Sequence, residues 1–210
     1  LNLKKRVTPN SLRQLSSRGN LYVNAATEQF VKYFEGQLSQ FPGQGLTWLE
    51  SMRRSGIDQF CDLGLPHTKM EDWKYTRLRS LEDTEFRPVT EADGAANVDQ
   101  LPTLFAGETA VPRIVFVNGY LRSDLSNLND LPNGILIQSL ADAIAYDPDW
   151  ISDYLGGIAQ LSSNPLLALN MAMMNSGVVV RVRKGVVVTT PVEMVFVAGN
   201  TDDPTAYYPR

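Results

Sequence analysis

Residues 64–78 read GLPHTKMEDWKYTRL, and this stretch organises the reading of everything around it. Gly64 and Pro66 break the preceding segment, and a new helix start follows. Thr68 and Glu71 have capping-box spacing: the hydroxyl accepts from the amide three residues on, and the carboxylate reaches back to the cap amide. Trp73 with Arg77, and Lys74 with Leu78, stand four apart on the helix so begun. This short helix is expected to lay Trp73 on the helices before it. Trp73 and Tyr75 read equally well as core or as interface anchors.

Upstream, Phe30, Tyr33, Phe34, Leu38 and Phe41 recur at spacings of three and four, the pattern of one helix face. Thr27 is placed to cap that helix, and Pro42-Gly43 to stop it. A second helix is predicted over 46–60, with Leu46, Leu49, Met52 and Phe60 apolar and Arg53, Arg54 and Asp58 on its wet side. The short connection predicts a helical hairpin. Residues 1–26 carry Lys4, Lys5, Arg6, Arg13 and Arg18 and no acid. They read as a flexible basic N-terminus, with the composition of an organellar transit peptide as the alternative.

Downstream, 27–82 forms a helical domain, 83–110 a polar linker with Pro88, Asp93 and Gly94, and 111–210 a β-rich domain with short helices. Ile114 to Val117 is an apolar run ending at the turn signal Asn118-Gly119. Ile135 to Ile137 is another, after Pro132-Asn133-Gly134. Short helices are predicted over 139–146, 149–155 and 164–175, the last capped by Asn164 with Pro165 at its first position. Leu166, Leu169 and Met173 supply its buried face. Val180 to Arg183 alternates, with Val predicted inward and Arg outward. Strands are also predicted at 186–188 and 192–196, the second with Val192, Met194 and Phe196 alternating with Glu193. The class is α+β. The short strands fit an antiparallel jelly roll or the coils of a parallel β-helix.

Composition narrows the function. The 210 residues carry a net charge of −4, which argues against a nucleic-acid platform. The longest apolar run, 186–198, is interrupted by Thr189, Thr190, Pro191 and Glu193 and falls short of the roughly 20 residues that cross a bilayer. Cys61 is the one cysteine and His67 the one histidine. No internal disulfide can form, which favours a reducing, cytoplasmic setting. Clusters and structural zinc sites take about four thiolate or imidazole ligands, so this chain builds neither alone.

No catalytic group stands out. His67 as a general base, a Cys61–His67 dyad and a Glu71/Asp72 pair all lack a defining geometry in the sequence. Met171, Met173 and Met174 read as adaptable core packing. Arg181, Arg183 and Lys184 read as a solvated strand face, with an anion or partner site as the alternative.

Two blocks resemble a known family. Gly64-Leu65-Pro66, then Glu71-Asp72-Trp73-Lys74-Tyr75-Thr76 and Leu78-Arg79-Ser80-Leu81, is similar to a pattern of the SufD family, scaffold subunits of iron–sulfur cluster assembly. Leu167-Ala168-Leu169-Asn170, Gly177, Lys184-Gly185-Val186-Val187-Val188 and Pro191-Val192 follow in the family's order. Asn175-Ser176-Gly177, where an acid often precedes Gly, and Arg183, where Pro is common, depart from it. The resemblance implies a helical domain leading into a right-handed parallel β-helix, in a protein about twice this long. It implies a non-catalytic partner of a SufB-like scaffold and a SufC-like ATPase, cytoplasmic or in a plastid stroma. A second copy of the chain is a further expected partner. The cluster is then expected only in the assembled complex. Glu71, Trp73, Lys74, Tyr75, Lys184 and Gly185 carry the family pattern without an assigned role. A small enzyme using His67 and carboxylates, or a stand-alone interaction module, are the rival readings.

Overall fold

The computed structural model describes residues 25–89, 91–94, 111–129, 131, 133–158, 164–199 and 201–210. The basic segment 1–24, most of the expected linker and Pro132 therefore lie outside the described residues. The helices are α1 (Ala25–Gln37), α2 (Thr47–Leu63), α3 (Arg79–Asp83), α4 (Glu91–Gly94), α5 (Leu140–Tyr146), α6 (Pro148–Tyr154) and α7 (Pro165–Met173). The strands are β1 (Arg87–Pro88), β2 (Arg113–Val117), β3 (Tyr120–Leu121), β4 (Ile135–Ser139), β5 (Val178–Val182), β6 (Glu193–Val197) and β7 (Thr205–Ala206). The chain is α+β, as its periodicities imply.

The helical core forms around α2. Phe30, Val31 and Phe34 of α1 pack with Ile57, Phe60 and Cys61 of α2. Phe30 meets Phe60 edge-on, with ring centroids 5.8 Å apart, which satisfies the ring quadrupoles. The main partner of α2, however, is α7, more than a hundred residues later. Gly56 makes that approach close: a Cβ there would stand 2.8 Å from the Ala168 carbonyl oxygen and 2.9 Å from the Ala172 nitrogen. Fully buried Phe60 alone contributes about 2–3 kcal/mol of hydrophobic stabilisation. Gly64 ends α2 with φ 69°, its N–H returning to the Phe60 carbonyl.

Two expectations fail here. Thr27 does not cap α1; it is a fully buried residue inside a helix that starts at Ala25. Arg53 is not on the wet side of α2; it is 2% exposed. It lies four residues from Leu49 and four from Ile57, so it shares their buried face, and its charge is met by backbone carbonyls.

The caps of two shorter helices hold, while α6 starts at Pro148 with no side-chain capping bond. Ser139 caps α5 by accepting from the Asp142 amide at 3.0 Å. Asn164 caps α7 through the Leu167 amide at 3.1 Å, with Pro165 in the first turn. Leu140, Ala143 and Ile144 of α5 join Ile151, Leu49 and Met171 in a second apolar cluster.

The strands form small sheets. β2 is central in one, antiparallel to β3 and parallel to β6, with Arg113 opposite Glu193 and Phe116 opposite Phe196. The β2–β3 turn is Asn118-Gly119, both at positive φ (47° and 83°), as a tight hairpin demands. β1 pairs parallel with β7, and β4 pairs antiparallel with β5. A further parallel bridge joins Ser176 to Pro209. Gly177 is required there, because a Cβ would lie 2.0 Å from the Arg210 carbonyl oxygen.

Three strand expectations are corrected. On β5 the Val half fails: Val180 and Val182 are 50% and 45% exposed, alongside Arg181 and Arg183, which are exposed as expected, while Val179 packs inward and the Arg181 guanidinium lies over Trp150. Helices α5 and α6 cover the Val179–Arg181 face, and the long Arg181 stem pays little for lying on an aromatic ring. On β6, Glu193 and Val195 are buried while Met194 and Phe196 are exposed. Register explains it, since Arg113 on β2 stands beside Glu193 and takes up its charge. Residues 186–188 form no strand; they leave a turn, and Val187 and Val188 are exposed.

Candidate functional site

In the segment 64–78, Gly64, Leu65 and Pro66 are buried, Leu65 in the helical core, and the residues from His67 on lie at the surface. Glu71–Trp73 is one turn of 3₁₀ helix whose cap is Met70, with no side-chain capping bond. The Thr68–Glu71 capping box is therefore not formed. His67 takes over the local role: its carbonyl accepts from the Met70 amide at 2.9 Å and its Nδ1 from the Lys69 amide at 3.2 Å. Trp73 is half-buried and is not part of either helical core cluster, against the expectation that it packs on the hairpin. Tyr75 is 92% exposed, which removes the core reading for it. Lys74 faces Glu71 at 4.0 Å and lies 5.5 Å from the Tyr75 ring centroid. The segment thus displays an acid, a base and an aromatic ring to solvent.

The reactive candidates are arranged for folding. Cys61 is a buried free thiol, pushed up to about 11 by desolvation, with Asp58 and Asp62 adding to the effect. That is the opposite of an activated nucleophile. Met171, Met173 and Met174 are all buried in the core. Among the described residues, no group of three His, Cys, Asp or Glu side chains could hold a metal ion. Among them, too, no helix is long and apolar enough to cross a membrane.

Among the described residues, a concave feature that gathers charge lies beside β5. A groove of about 640 Å³ is lined by Trp150, Ile151 and Tyr154 of α6, by 178–184, and by Arg210. Every charged residue in its lining is basic: Arg181, Arg183, Lys184 and Arg210. Arg181 is held by Asp147 at 3.6 Å and lies 4.4 Å from the Trp150 centroid. Arg210 donates to Asn170 Oδ1 at 3.2 Å, and partial burial lowers its basicity. Lys184 and Gly185 form the turn after β5, closed by the Val186 amide on the Arg183 carbonyl at 3.1 Å, with Gly185 at φ 84°. The groove includes Lys184 but none of Glu71, Trp73, Lys74 or Tyr75, so the two motif blocks do not share this site.

Sequence reasoning named Arg181, Arg183 and Lys184 but missed Trp150, Tyr154 and Arg210. Trp150 and Tyr154 stand four apart on α6, a spacing that places them side by side, and their rings are 4.7 Å apart. No local signal places Arg210, which reaches β5 through a long-range bridge.

Comparison with known proteins fixes the family. A family model described as the SufBD protein N-terminal region matches residues 24–194. An iron–sulfur cluster assembly SufBD family protein of Synechocystis sp. is 29% identical over 163 residues, 77% of this chain and 35% of that protein. The iron–sulfur cluster assembly protein SufD of Bacillus subtilis is 24% identical over 161 residues, 74% of this chain and 36% of that protein. The chain spans about a third of the length of these relatives. The matched region runs from α1 to the start of β6 and holds both motif blocks. The chain belongs to the SufBD family and carries its N-terminal region.

Proposed function

We propose that this chain acts in iron–sulfur cluster assembly as the N-terminal part of a SufD-like scaffold subunit. The observation that carries the reading is the family match over 24–194, which spans both motif blocks in order. The curated relatives are named for cluster assembly, which supports the same role. The polypeptide would pair with a SufB-like scaffold and be driven by a SufC-like ATPase. It would do so without catalysis of its own, in the cytoplasm or a plastid stroma. The cluster is cargo here, not a resident cofactor. Cys61, buried with its thiol pushed up to about 11, supplies no ready ligand for the cargo from this region. The parallel pairings of β1 with β7 and β2 with β6 support a β-helix as the body that this region opens.

The test is co-purification. The full-length polypeptide is expressed with SufB-like and SufC-like partners under anaerobic conditions and run on a sizing column. Co-elution in one complex is expected. Separate elution of the polypeptide from both partners refutes the reading.

A further inference from the structure

We propose that Asn133-Gly134, in the turn before β4, is a spontaneous modification site, where the side-chain amide is lost and an isoaspartyl linkage forms. The inference is independent of the assembly role above. The chain holds two Asn-Gly pairs, 118–119 and 133–134. Asparagine before glycine is the pair most open to this chemistry, because no Cβ shields the attacking backbone nitrogen. The Gly134 nitrogen gives up its proton to a base and bonds to Cγ of Asn133. The Cγ–Nδ2 bond breaks, and Nδ2 takes a proton back and leaves as ammonia. Water then adds to one or other carbonyl of the five-membered imide and opens it to an aspartyl or an isoaspartyl residue. Water is the co-reactant, and nothing is oxidised or reduced.

The fold treats the two pairs oppositely. Asn118 is 1% exposed. Its Nδ2 donates to the Asp93 carbonyl at 3.0 Å, and its Oδ1 accepts from the Gly199 amide at 2.8 Å. A carboxamide tethered at both ends cannot swing onto the next nitrogen, and burial keeps water from it. Tyr207 covers the other side, since a Cβ on Gly119 would stand 2.4 Å from the Tyr207 Cβ. Asn133, by contrast, is exposed, and its carboxamide makes no hydrogen bond among the described residues. Gly134 stands at φ 95°, and its N–H makes none among them either; the Arg183 carbonyl across the ladder accepts from the Val186 amide instead. The turn lies on the β4 side of the β4–β5 pair, away from the bond between the Val178 amide and the Arg210 carbonyl. The consequence is local and structural. The Gly134 carbonyl accepts from the Arg183 amide at 2.9 Å, next to the Ile135–Val182 pair that ends the ladder. An isoaspartyl link puts one extra carbon into the backbone just before Gly134 and adds a carboxylate. That carbonyl is then out of register, and this end of β4–β5 frays.

The full-length polypeptide is aged at neutral and at mildly alkaline pH, with a parallel sample unfolded in urea, and each is digested for peptide mass mapping. In the native samples the peptide holding Asn133 is expected to gain one mass unit and split into two forms, faster at the higher pH. The peptide holding Asn118 is expected to stay unchanged. In urea both are expected to change, because the fold no longer spares Asn118. An isoaspartyl-specific methyltransferase with labelled S-adenosylmethionine is expected to label the aged native protein on the Asn133 peptide. Asn133→Gln, at an exposed position, lengthens the side chain past the favoured ring size and is expected to lose both the mass gain and the label there. Amide exchange at Arg183 is expected to speed up in the isoaspartyl form. Three results overturn the proposal. Asn133 stays unchanged in the native protein, whatever happens in urea. Asn118 changes as fast as Asn133 in the native protein. The isoaspartyl form leaves exchange at Arg183 as it was.

Discussion

The guanidinium of Arg53, in the middle of α2, donates to the backbone carbonyl of Met174, just past the end of α7. A second bond reaches the Ala172 carbonyl at 3.3 Å and a third the Pro42 carbonyl at 3.4 Å. The group also lies 4.6 Å from the Phe41 ring centroid. A cation at the carbonyl end of a helix is favoured by the helix dipole, which offsets part of the cost of burying it. Burial lowers its basicity, to about 10. One side chain thus joins α2, the turn after α1, and α7.

Arg53→Met fills similar volume but leaves the carbonyls of Met174 and Ala172 buried without a donor. The expected loss is about 2–4 kcal/mol in urea unfolding, from one to two unsatisfied carbonyls. Arg53→Lys is expected to lose less, since an ammonium still donates but cannot fork across three acceptors. Equal stability of Arg53→Met and wild type would show that the clamp is not structural.

Gly56→Ala is a case where helix propensity and packing oppose each other. Propensity alone favours Ala by about 1 kcal/mol. The added Cβ, however, meets backbone atoms of α7 at 2.8 and 2.9 Å, which cannot rotate away. Overpacking of this kind costs about 1–3 kcal/mol, so net destabilisation is expected. A rise in melting temperature would contradict the close α2–α7 contact.

Cys61 predicts a pH dependence. Its thiol is raised from 9.0 to about 11 in the fold, first by burial and then by Asp58 and Asp62. Above pH 9 the unfolded chain ionises and the folded one does not. The stability from the neutral thiol is therefore full below pH 9 and is lost as pH rises through 11. Relative to Cys61→Val, wild type is expected to lose about 1 kcal/mol between pH 9 and 10, at about 1.4 kcal/mol per unit. Parallel stability curves for the two proteins would refute this. Groups common to both, Arg53 included, cancel in the comparison.

Arg113 and Glu193 sit side by side across the parallel β2–β6 pair, and the Glu193 side chain is 3% exposed. Its other oxygen, Oε1, is buried with no hydrogen bond. Glu193→Ala strands the partly buried Arg113 and is expected to cost about 3 kcal/mol or more. Arg113→Met with Glu193→Leu should recover most of that, because a buried pair often does no better than an apolar one. A double variant as unstable as the single would show that the pair contributes net stability.

Local chemistry was legible and long-range chemistry was not. Ser139, Asn164-Pro165 and Asn118-Gly119 each fix a cap or turn within a few residues, and each stands where its sequence places it. Arg53 was misplaced because charge was weighed above position. Its spacing from Leu49 and Ile57 already put it on the buried face, and only its partners, 119 and 121 residues away, were invisible. On β6 the alternation was readable but its sense was not, because Arg113 decides which face is covered; on β5 the arginines face outward as read, but Val180 and Val182 are exposed with them. Thr68 and Glu71 had the letters of a capping box, but the helix after them is one 3₁₀ turn. Of the candidate groove, three basic residues were visible in sequence; Arg210 enters through the Ser176–Pro209 bridge.

The most direct measurement of the central claim is anaerobic cluster formation by the full-length polypeptide with its SufB-like and SufC-like partners, followed by visible absorbance after iron, sulfide and ATP are supplied. The account predicts a cluster on the complete set, a much slower gain when this polypeptide is omitted, and none on the polypeptide alone. Equal cluster formation with and without it, or a cluster loaded on it in isolation, would contradict the account.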